Sequence, residues 1–317
     1  MLRVMDETFG NRMRNLALFC ALLVVIIHCT STFKVENPWL WKAGYCGFCR
    51  IAVPFFFFAS GLFLGLRVGE AGWWKASVLK RCRTLLVPYF FWLTAFFAYR
   101  TGLLWMAGES VDLSGPALMT AFGFNLLEYP CLHPLWYVRA LFGFILISPL
   151  IVWILKRAGA IPVFLLLPLG SALFFPLGLA FGMRIVKIQV RPRLAMAMLV
   201  VGGALMTGWI LSPAPEAGGV WLANVALPFL VVGLLNLFPA VKLPTAVAST
   251  AFPIYLLHMF FVSAAGFLVR GHGLSGRFSS PVVLIGAAVA IFFSTMACAM
   301  ALRRVWPRAD VVLWGGR

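Results

Sequence analysis

Long apolar stretches separated by short polar loops dominate the sequence. Nine of them can be read, at 15–32, 44–66, 84–106, 133–155, 158–182, 194–211, 220–238, 245–268 and 281–302. Most approach or exceed the roughly 20 residues that a helix needs to cross the hydrocarbon core of a bilayer. Pro and Gly recur inside them, which membrane helices tolerate because neighbouring groups satisfy the freed backbone. The pattern predicts an all-α, polytopic bundle of about nine or ten transmembrane helices.

The composition agrees with this pattern. Of the 317 residues 62% are hydrophobic and only 11% are charged, which excludes an ordinary soluble domain. The first apolar run is too long for the core of a cleaved signal peptide and leads directly into further segments. No soluble region is set apart, so we expect one membrane-embedded domain over residues 1–317.

The cysteines carry little information about chemistry. The one close pair, Cys46 and Cys49, lacks the thioredoxin-like or zinc-site context that would give its spacing a meaning. We expect free, small, buried thiols. A disulfide between the two is the alternative, because the pair lies toward the non-cytoplasmic end of its segment.

The net charge of +17 reflects membrane orientation rather than nucleic-acid binding, because the basic residues lie in short loops between apolar segments. With a cytoplasmic N-terminus, 19 of the 26 basic residues fall on the cytoplasmic side. They are Arg3, Arg12, Arg14, Arg67, Lys75, Lys80, Arg81, Arg83, Lys156, Arg157, Arg184, Lys187, Arg191, Arg193, Lys242, Arg303, Arg304, Arg308 and Arg317.

Nine single crossings would leave the two termini on opposite sides, in conflict with this charge distribution. Segment 158–182 has basic clusters at both ends, is too short for two full crossings, and is interrupted by several Pro and Gly residues. We interpret it as a short helical hairpin with both ends in the cytoplasm. A single crossing with a translocated C-terminus is the alternative.

The first apolar segment carries His28 about two-thirds of the way along. An ionisable group inside a membrane span is costly and usually functional, although a neighbouring helix can also satisfy it. Arg14 lies about 21 Å lower along the helix axis and within about 40° of the same face. One face thus carries a cation at the membrane surface and an imidazole inside the bilayer.

Four further motifs follow the His28 helix in order. They are RIAVPFFFFASGLFLGLR (50–67), LKRCRTLLVPYFFW (79–92), HPLWYVRALFGFILISPL (133–150) and FPIYLLHMFF (252–261). Together with that helix they resemble the membrane-bound acyltransferases known as the acyltransferase 3 family. The resemblance runs over nearly the whole chain.

The resemblance implies a bundle of about ten helices that moves acyl groups, usually acetyl from acetyl-CoA, onto hydroxyls of glycans or lipids. It implies that His28 is catalytic. It also implies a multi-pass protein of the bacterial cytoplasmic (inner) membrane. The family usually places an Arg eleven residues before this His; here Ala17 stands there, and Arg14, one turn lower, is the candidate for that role in binding the donor.

Acyl transfer to an alcohol needs a base for the hydroxyl proton, donors for the developing oxyanion, and cations for the phosphates of CoA. His28 fits the base. The candidate substrate-binding residues share a position near the outer half of the bilayer; they are Arg50, His133, Trp136, Arg139, Tyr255 and His258. The alternatives are that the arginines snorkel to the surface, that His133 is interfacial, and that Trp136 belongs to the aromatic belt.

The acidic residues all lie in loops or at segment ends. Among them Glu128 alone falls near the outer ends of the fourth segment and the His28 helix. It is the candidate for orienting His28 or binding acceptor hydroxyls, and an interfacial carboxylate is the alternative.

The leading hypothesis is an integral membrane O-acyltransferase that uses acyl-CoA from the cytoplasm and a glycan or lipid-linked saccharide from the other side, among membrane lipids and without a metal. Lys80, Arg81 and Arg83 are the candidate CoA-binding cations; lipid head groups are their alternative partner.

The second hypothesis is a transporter or flippase with the buried His and Arg residues lining a substrate path. Proton-coupled transport usually uses an intramembrane carboxylate, and none is evident. A structural scaffold would not need buried ionisable groups.

Overall fold

The structure is a computed structural model that describes residues 7–166, 169–185, 189–212 and 219–316. About 80% of the residues are helical, and the described ranges contain no strand. The helices are α1 (Glu7–Thr32), α2 (Pro38–Trp41), α3 (Ala52–Gly65), α4 (Trp73–Arg81), α5 (Val87–Met106), α6 (Gly115–Ala121), α7 (Trp136–Leu146), α8 (Ser148–Ala158), α9 (Ile161–Leu166), α10 (Phe174–Gly182), α11 (Pro192–Leu211), α12 (Gly219–Leu237), α13 (Thr245–Ala248), α14 (Ala251–Gly271), α15 (Pro281–Val305) and α16 (Asp310–Trp314).

Six helical stretches in the described ranges are long and apolar enough to cross a membrane, and a seventh arises if α7 and α8, bent by 62°, count as one span. The six are Glu7–Thr32, Pro38–Gly65, Trp73–Met106, Pro192–Leu211, Ala251–Gly271 and Pro281–Val305. Ser171–Gly182 and Leu222–Leu237 are shorter apolar helices. The predicted all-α polytopic membrane bundle is thus confirmed, with fewer full-length spans than the nine apolar segments.

Helix α1 lies in the middle of the bundle, packed against α3, α12, α14 and α15. At its lower end the Arg12 guanidinium donates to the carbonyl of Phe238, and the Asn15 amide donates to the carbonyls of Pro239 and Val241. At its upper end Thr32 fits against Gly266 of α14. These contacts fix the height of α1, and therefore of His28, relative to its neighbours.

Glycines allow α3 and α10 to approach backbone to backbone. A Cβ on Gly61 would overlap the carbonyl oxygen of Phe175, and a Cβ on Gly178 would overlap that of Phe58. Near the ends of the two helices, Gly65 meets Gly182 in the same way. Residue numbers rise together along the two helices, so α10 runs parallel to α3, toward the end of α3 that is predicted to be cytoplasmic.

This direction bears on segment 158–182. Its end at Gly182 lies beside Gly65, at the end of α3 that the charge pattern assigns to the cytoplasm, while the 3-10 turn Ser171–Leu173 lies at the opposite end of α10. The hairpin interpretation of this segment and the single-crossing alternative both stay predictions.

Several sequence features fall on positions that the structure leaves undescribed. Arg3, Lys187 and Arg317 lie outside the described residues, as do the side chain of Cys46 and two acidic residues. Cys49, the other member of the close pair with Cys46, is a buried free thiol, in agreement with the expectation of free thiols.

Candidate active site

A cavity of about 510 Å³ opens beside the upper part of α1, and His28 lies on its wall. Volumes between roughly 300 and 1,000 Å³ are usual for pockets that hold small molecules. Of the predicted site residues, Arg50, His133, Trp136 and Tyr255 line the same cavity. Four elements distant in sequence therefore meet at one place.

Three of the four histidines of the chain gather at this cavity. The ring centroid of His28 lies 5.2 Å from that of His258 and 5.8 Å from that of His133. His258 has no exposed surface, whereas His28 is partly exposed and faces the cavity. His258 thus lies behind His28, and His133 lies beside it.

The hydrogen bonds of His258 fix its protonation pattern. Its Nδ1 lies 3.0 Å from the carbonyl oxygen of Ile254, and a carbonyl only accepts, so Nδ1 carries the proton. Its buried Nε2 has no hydrogen-bond partner among the described residues. In this tautomer, Nε2 of His258 is a hydrogen-bond acceptor within the cluster of His28, His133 and His258.

Tyr255 joins the His258 helix to the His133 turn. Its hydroxyl donates to the carbonyl of Pro134, in the 3-10 turn His133–Leu135. Tyr255 and His258 are three residues apart on α14, so both side chains point toward the same neighbours. The FPIYLLH motif therefore holds two parts of the cavity wall at a fixed distance from each other.

The remaining walls are aromatic and polar. Trp136 and Tyr137 begin α7 and pack against Phe57 of α3, and the Tyr137 hydroxyl lies 3.2 Å from the Ser60 hydroxyl. Arg50 lies in the 3-10 turn Phe48–Ile51, just before α3, and reaches the cavity from that side. The cavity thus combines one cation, several hydroxyls and flat aromatic surfaces.

A larger cavity of about 830 Å³ lies on the outer side, lined by the 107–132 loop. Tyr129 and His133 line both cavities and stack on each other with ring centroids 4.1 Å apart. Asp112 also lines the outer cavity, and the hydrogen bond from the Ser114 backbone N–H holds the pKa of its carboxyl below the usual value. The outer cavity is therefore a polar vestibule to the histidine cluster.

Glu128 lines this vestibule and not the His28 cavity. It is exposed, and within the described part of the chain neither it nor His28 belongs to an ion pair. The structure thus surrounds His28 with two other histidines, while the predicted orienting carboxylate lies further out. Contact with acceptor hydroxyls stays a prediction for Glu128.

Arg139 does not line the His28 cavity either. Its guanidinium donates to the carbonyls of Gly123, Asn125, Leu126 and Glu128 at 3.0, 2.8, 3.4 and 3.0 Å. These contacts fold the outer loop back over the start of α7. Its predicted substrate contact remains untested, and its observed contacts hold the vestibule wall.

The predicted CoA-binding cations lie at the junction of α4 and α5, on the side that the charge pattern assigns to the cytoplasm. Lys80 and Arg83 are exposed, whereas Arg81 is half-buried. Arg14 is exposed at the lower end of α1, well away from the cavity.

Sequence reasoning missed Tyr45, Tyr129 and residues 170–172, all of which line the His28 cavity. Tyr129 had a weak signal, an aromatic residue four positions before His133. Residues 170–172 had none, because a Gly-Ser-Ala segment shows no chemistry until the fold brings it to the same cavity as Arg50.

Other chemistries find less support at this site. Burial raises the pKa of the Cys131 thiol to about 11, so this cysteine of the outer loop stays protonated at neutral pH. Within the described ranges no three His, Cys, Asp or Glu side chains are grouped so that they can hold a metal ion. Of the groups on the cavity wall, the imidazoles are the ones suited to proton transfer near neutral pH.

Comparison with known proteins agrees with the motifs. Residues 16–170 match the model of the acyltransferase 3 family, described as an acyltransferase domain. The matched part holds His28, Arg50, His133 and Trp136, while Tyr255 and His258 lie beyond it. Comparisons with curated proteins and with solved structures gave no match. The family match confirms the resemblance over residues 16–170 and supports acyltransferase activity in a multi-pass membrane protein.

Proposed function

With an acyltransferase 3 domain over residues 16–170 as the premise, we propose that the protein transfers an acyl group, most simply acetyl, from acyl-CoA to a hydroxyl of a surface glycan or lipid-linked saccharide. The observation that carries the proposal is the position of His28. It lies on the wall of the 510 Å³ cavity, in contact with two further imidazoles.

His28 acts as the general base. The acceptor hydroxyl oxygen attacks the thioester carbonyl carbon while His28 takes the hydroxyl proton. The carbon–sulfur bond then breaks, and the CoA thiolate leaves with the proton that His28 returns. A positioned base of this kind contributes roughly 10²–10⁴-fold to the rate.

His258 positions His28 for this step. Because the carbonyl of Ile254 takes the Nδ1 proton of His258, its Nε2 is left as an acceptor in the cluster with His28. If one ring nitrogen of His28 donates its N–H to Nε2 of His258, the other ring nitrogen of His28 keeps a free lone pair on the cavity side. His258 thus acts through His28 and does not touch the substrates.

Arg50 is the group best placed to stabilise negative charge in the cavity. Among the described residues that line the cavity it is the one cation, and a preorganised hydrogen-bond donor stabilises developing charge most strongly where water is excluded. We assign it to the oxyanion that develops on the thioester carbonyl. Trp136 offers a flat apolar face for the acceptor saccharide.

The two substrates approach from opposite sides. Lys80, Arg81 and Arg83 provide the positive field for the CoA phosphates at the cytoplasmic end. The acceptor enters through the vestibule, which shares Tyr129 and His133 with the cavity. The acyl group thus passes from donor to acceptor inside the bundle.

Release of free CoA tests the proposal directly. Purified protein in detergent is given acetyl-CoA with and without candidate acceptors, and the free thiol and the mass of the acceptor are measured. We expect CoA release that depends on the acceptor, a gain of one acyl group on the product, and loss of both in His28→Ala. Movement of acceptor across proteoliposomes without CoA release would instead establish the transporter hypothesis.

A further inference from the structure

The predicted orientation leaves seven of the 26 basic residues on the outer side, against the general charge distribution, and each needs a physical reason. Arg139 holds the outer loop, Lys42 donates to the carbonyl of Ser212, and Arg50 faces the His28 cavity. Of the remaining four, Lys34 and Arg277 do not line the groove described next, whereas Arg100 and Arg270 do. Neither Arg100 nor Arg270 forms a hydrogen bond or an ion pair with another residue in the described part of the chain.

Both arginines line one groove of about 620 Å³ between α5 and α14. Arg100 is near the outer end of α5, and Arg270 is near the outer end of α14. Glu109 also lines the groove but lies too far from both guanidiniums to form an ion pair. Two positive groups without a close counter-charge therefore face the same space.

The rest of the groove is largely apolar. Its walls include Phe96, Leu103 and Leu104 from α5 and Met259 and Phe267 from α14. These residues belong to the membrane-spanning parts of the two helices. A groove with hydrocarbon-like walls and guanidiniums at its outer end matches an amphiphile with an apolar chain and an anionic head.

The groove also reaches the candidate active site. His133 lines the groove, the vestibule and the His28 cavity, and its ring centroid is 5.8 Å from that of His28. Arg100 lines both the groove and the vestibule. A head group held by Arg100 would therefore have its attached groups directed into the polar vestibule.

We propose that the α5–α14 groove binds the lipid part of the acceptor, with its phosphate held by Arg100 and Arg270 and its saccharide extending through the vestibule toward His28. The identification of this ligand as the acceptor rests on the proposed function, whereas the anionic-amphiphile site rests on the groove alone. Guanidinium groups bind phosphate through paired hydrogen bonds, which accounts for arginine rather than lysine at both positions.

Binding of dodecyl phosphate to the full-length protein in dodecyl maltoside micelles tests the site without requiring turnover. Dodecanol and inorganic phosphate serve as the chain-only and anion-only probes. We expect saturable binding of dodecyl phosphate and much weaker binding of the other two. Arg100→Gln together with Arg270→Gln should weaken it at least about tenfold, because hydrogen bonds to charged groups are lost, and paired Lys replacements should restore it only in part.

Arg277→Gln is the matched control, an exposed outer cation that does not line the groove. It should leave binding unchanged. Equal competition by phosphatidylglycerol would mean an ordinary lipid site and would overturn the proposal, as would unaltered binding in the double Gln variant. His28→Ala should bind dodecyl phosphate normally, so failure of the groove and failure of the acyl-transfer proposal give separate results.

Discussion

The His28 cavity and the cytoplasmic cation cluster differ in how the protein fixes their charged groups. In the cavity, His258 is fully buried, its Nδ1 bonds to Ile254, and Tyr255 is tied to the backbone of Pro134. In the cluster, Lys80 and Arg83 are exposed, and Arg81 alone is half-buried. Burial and hydrogen bonds hold the polar groups of the cavity in a single geometry, whereas the cations of the cluster are largely solvated.

This difference indicates how much each region can contribute. A buried group that loses its partner costs about 1–3 kcal/mol, whereas an exposed ion pair is worth only about 0–1 kcal/mol. Rigid, desolvated groups can therefore stabilise a transition state, while solvated cations attract a substrate without changing its chemistry. Substitutions in the two regions should separate kcat from KM.

The largest effect is expected for His28→Ala. Removing the base should lower kcat by roughly 10²–10⁴ and leave binding of acyl-CoA intact. Steady-state CoA release and equilibrium binding of acyl-CoA measure the two quantities. His272→Ala is the control, since this exposed histidine bonds only to the Leu268 carbonyl and lies away from the cavity. Near-normal turnover in His28→Ala would make His28 a packing residue.

His258→Phe should have the next largest effect. It keeps the buried volume but removes the acceptor nitrogen beside His28, so kcat should fall by about 10–100-fold, the size of the one hydrogen bond to His28 that the proposed role of His258 requires during catalysis. The pH profile of kcat should shift as well, and His258→Gln should recover part of the rate. An unshifted pH profile with a lowered thermal midpoint would indicate a merely structural role.

Arg139→Ala should act on the vestibule rather than on the cavity. Losing its hydrogen bonds to the outer loop should reduce the free energy of unfolding by about 1–2 kcal/mol, because part of these contacts is already exposed. The thermal midpoint and protease cleavage between residues 107 and 132 measure the change. Arg277→Ala should alter neither. If Arg139→Ala raised the acceptor KM with an intact loop, Arg139 would contact the substrate directly.

Arg81→Ala combined with Arg83→Ala should have the smallest effect. The KM for acyl-CoA should rise by roughly twofold to tenfold, less at high salt, with kcat and the acceptor KM unchanged. Lys156→Ala with Arg157→Ala removes the same charge from the same side and should leave the donor KM as it is. A parallel rise in donor and acceptor KM would contradict the assignment of the substrates to opposite faces.

The sequence predicted most of the architecture because membrane insertion depends on local properties. Segment length, apolar content and the placement of Lys and Arg can be read without knowing any tertiary contact. The same reasoning identified His28, since a histidine within an apolar segment such as 15–32 stands out whatever surrounds it. For segment 158–182 the basic ends conflict with a single crossing, and the hairpin stays a prediction.

The contacts between distant segments could not be read in this way. Arg139 and Arg100 are both arginines near outer helix ends, yet four carbonyls surround the first and an apolar groove the second. Likewise, the sequence made Glu128 a candidate for orienting His28 or for binding acceptor hydroxyls; in the structure Glu128 lines the vestibule, and the rings of His258 and His133 lie beside His28. Which polar groups meet is decided by helix rotation and height, and these depend on packing such as that of Gly178 against Phe58. Hydropathy sets which segments enter the membrane; only close packing between them sets which side chains share a cavity.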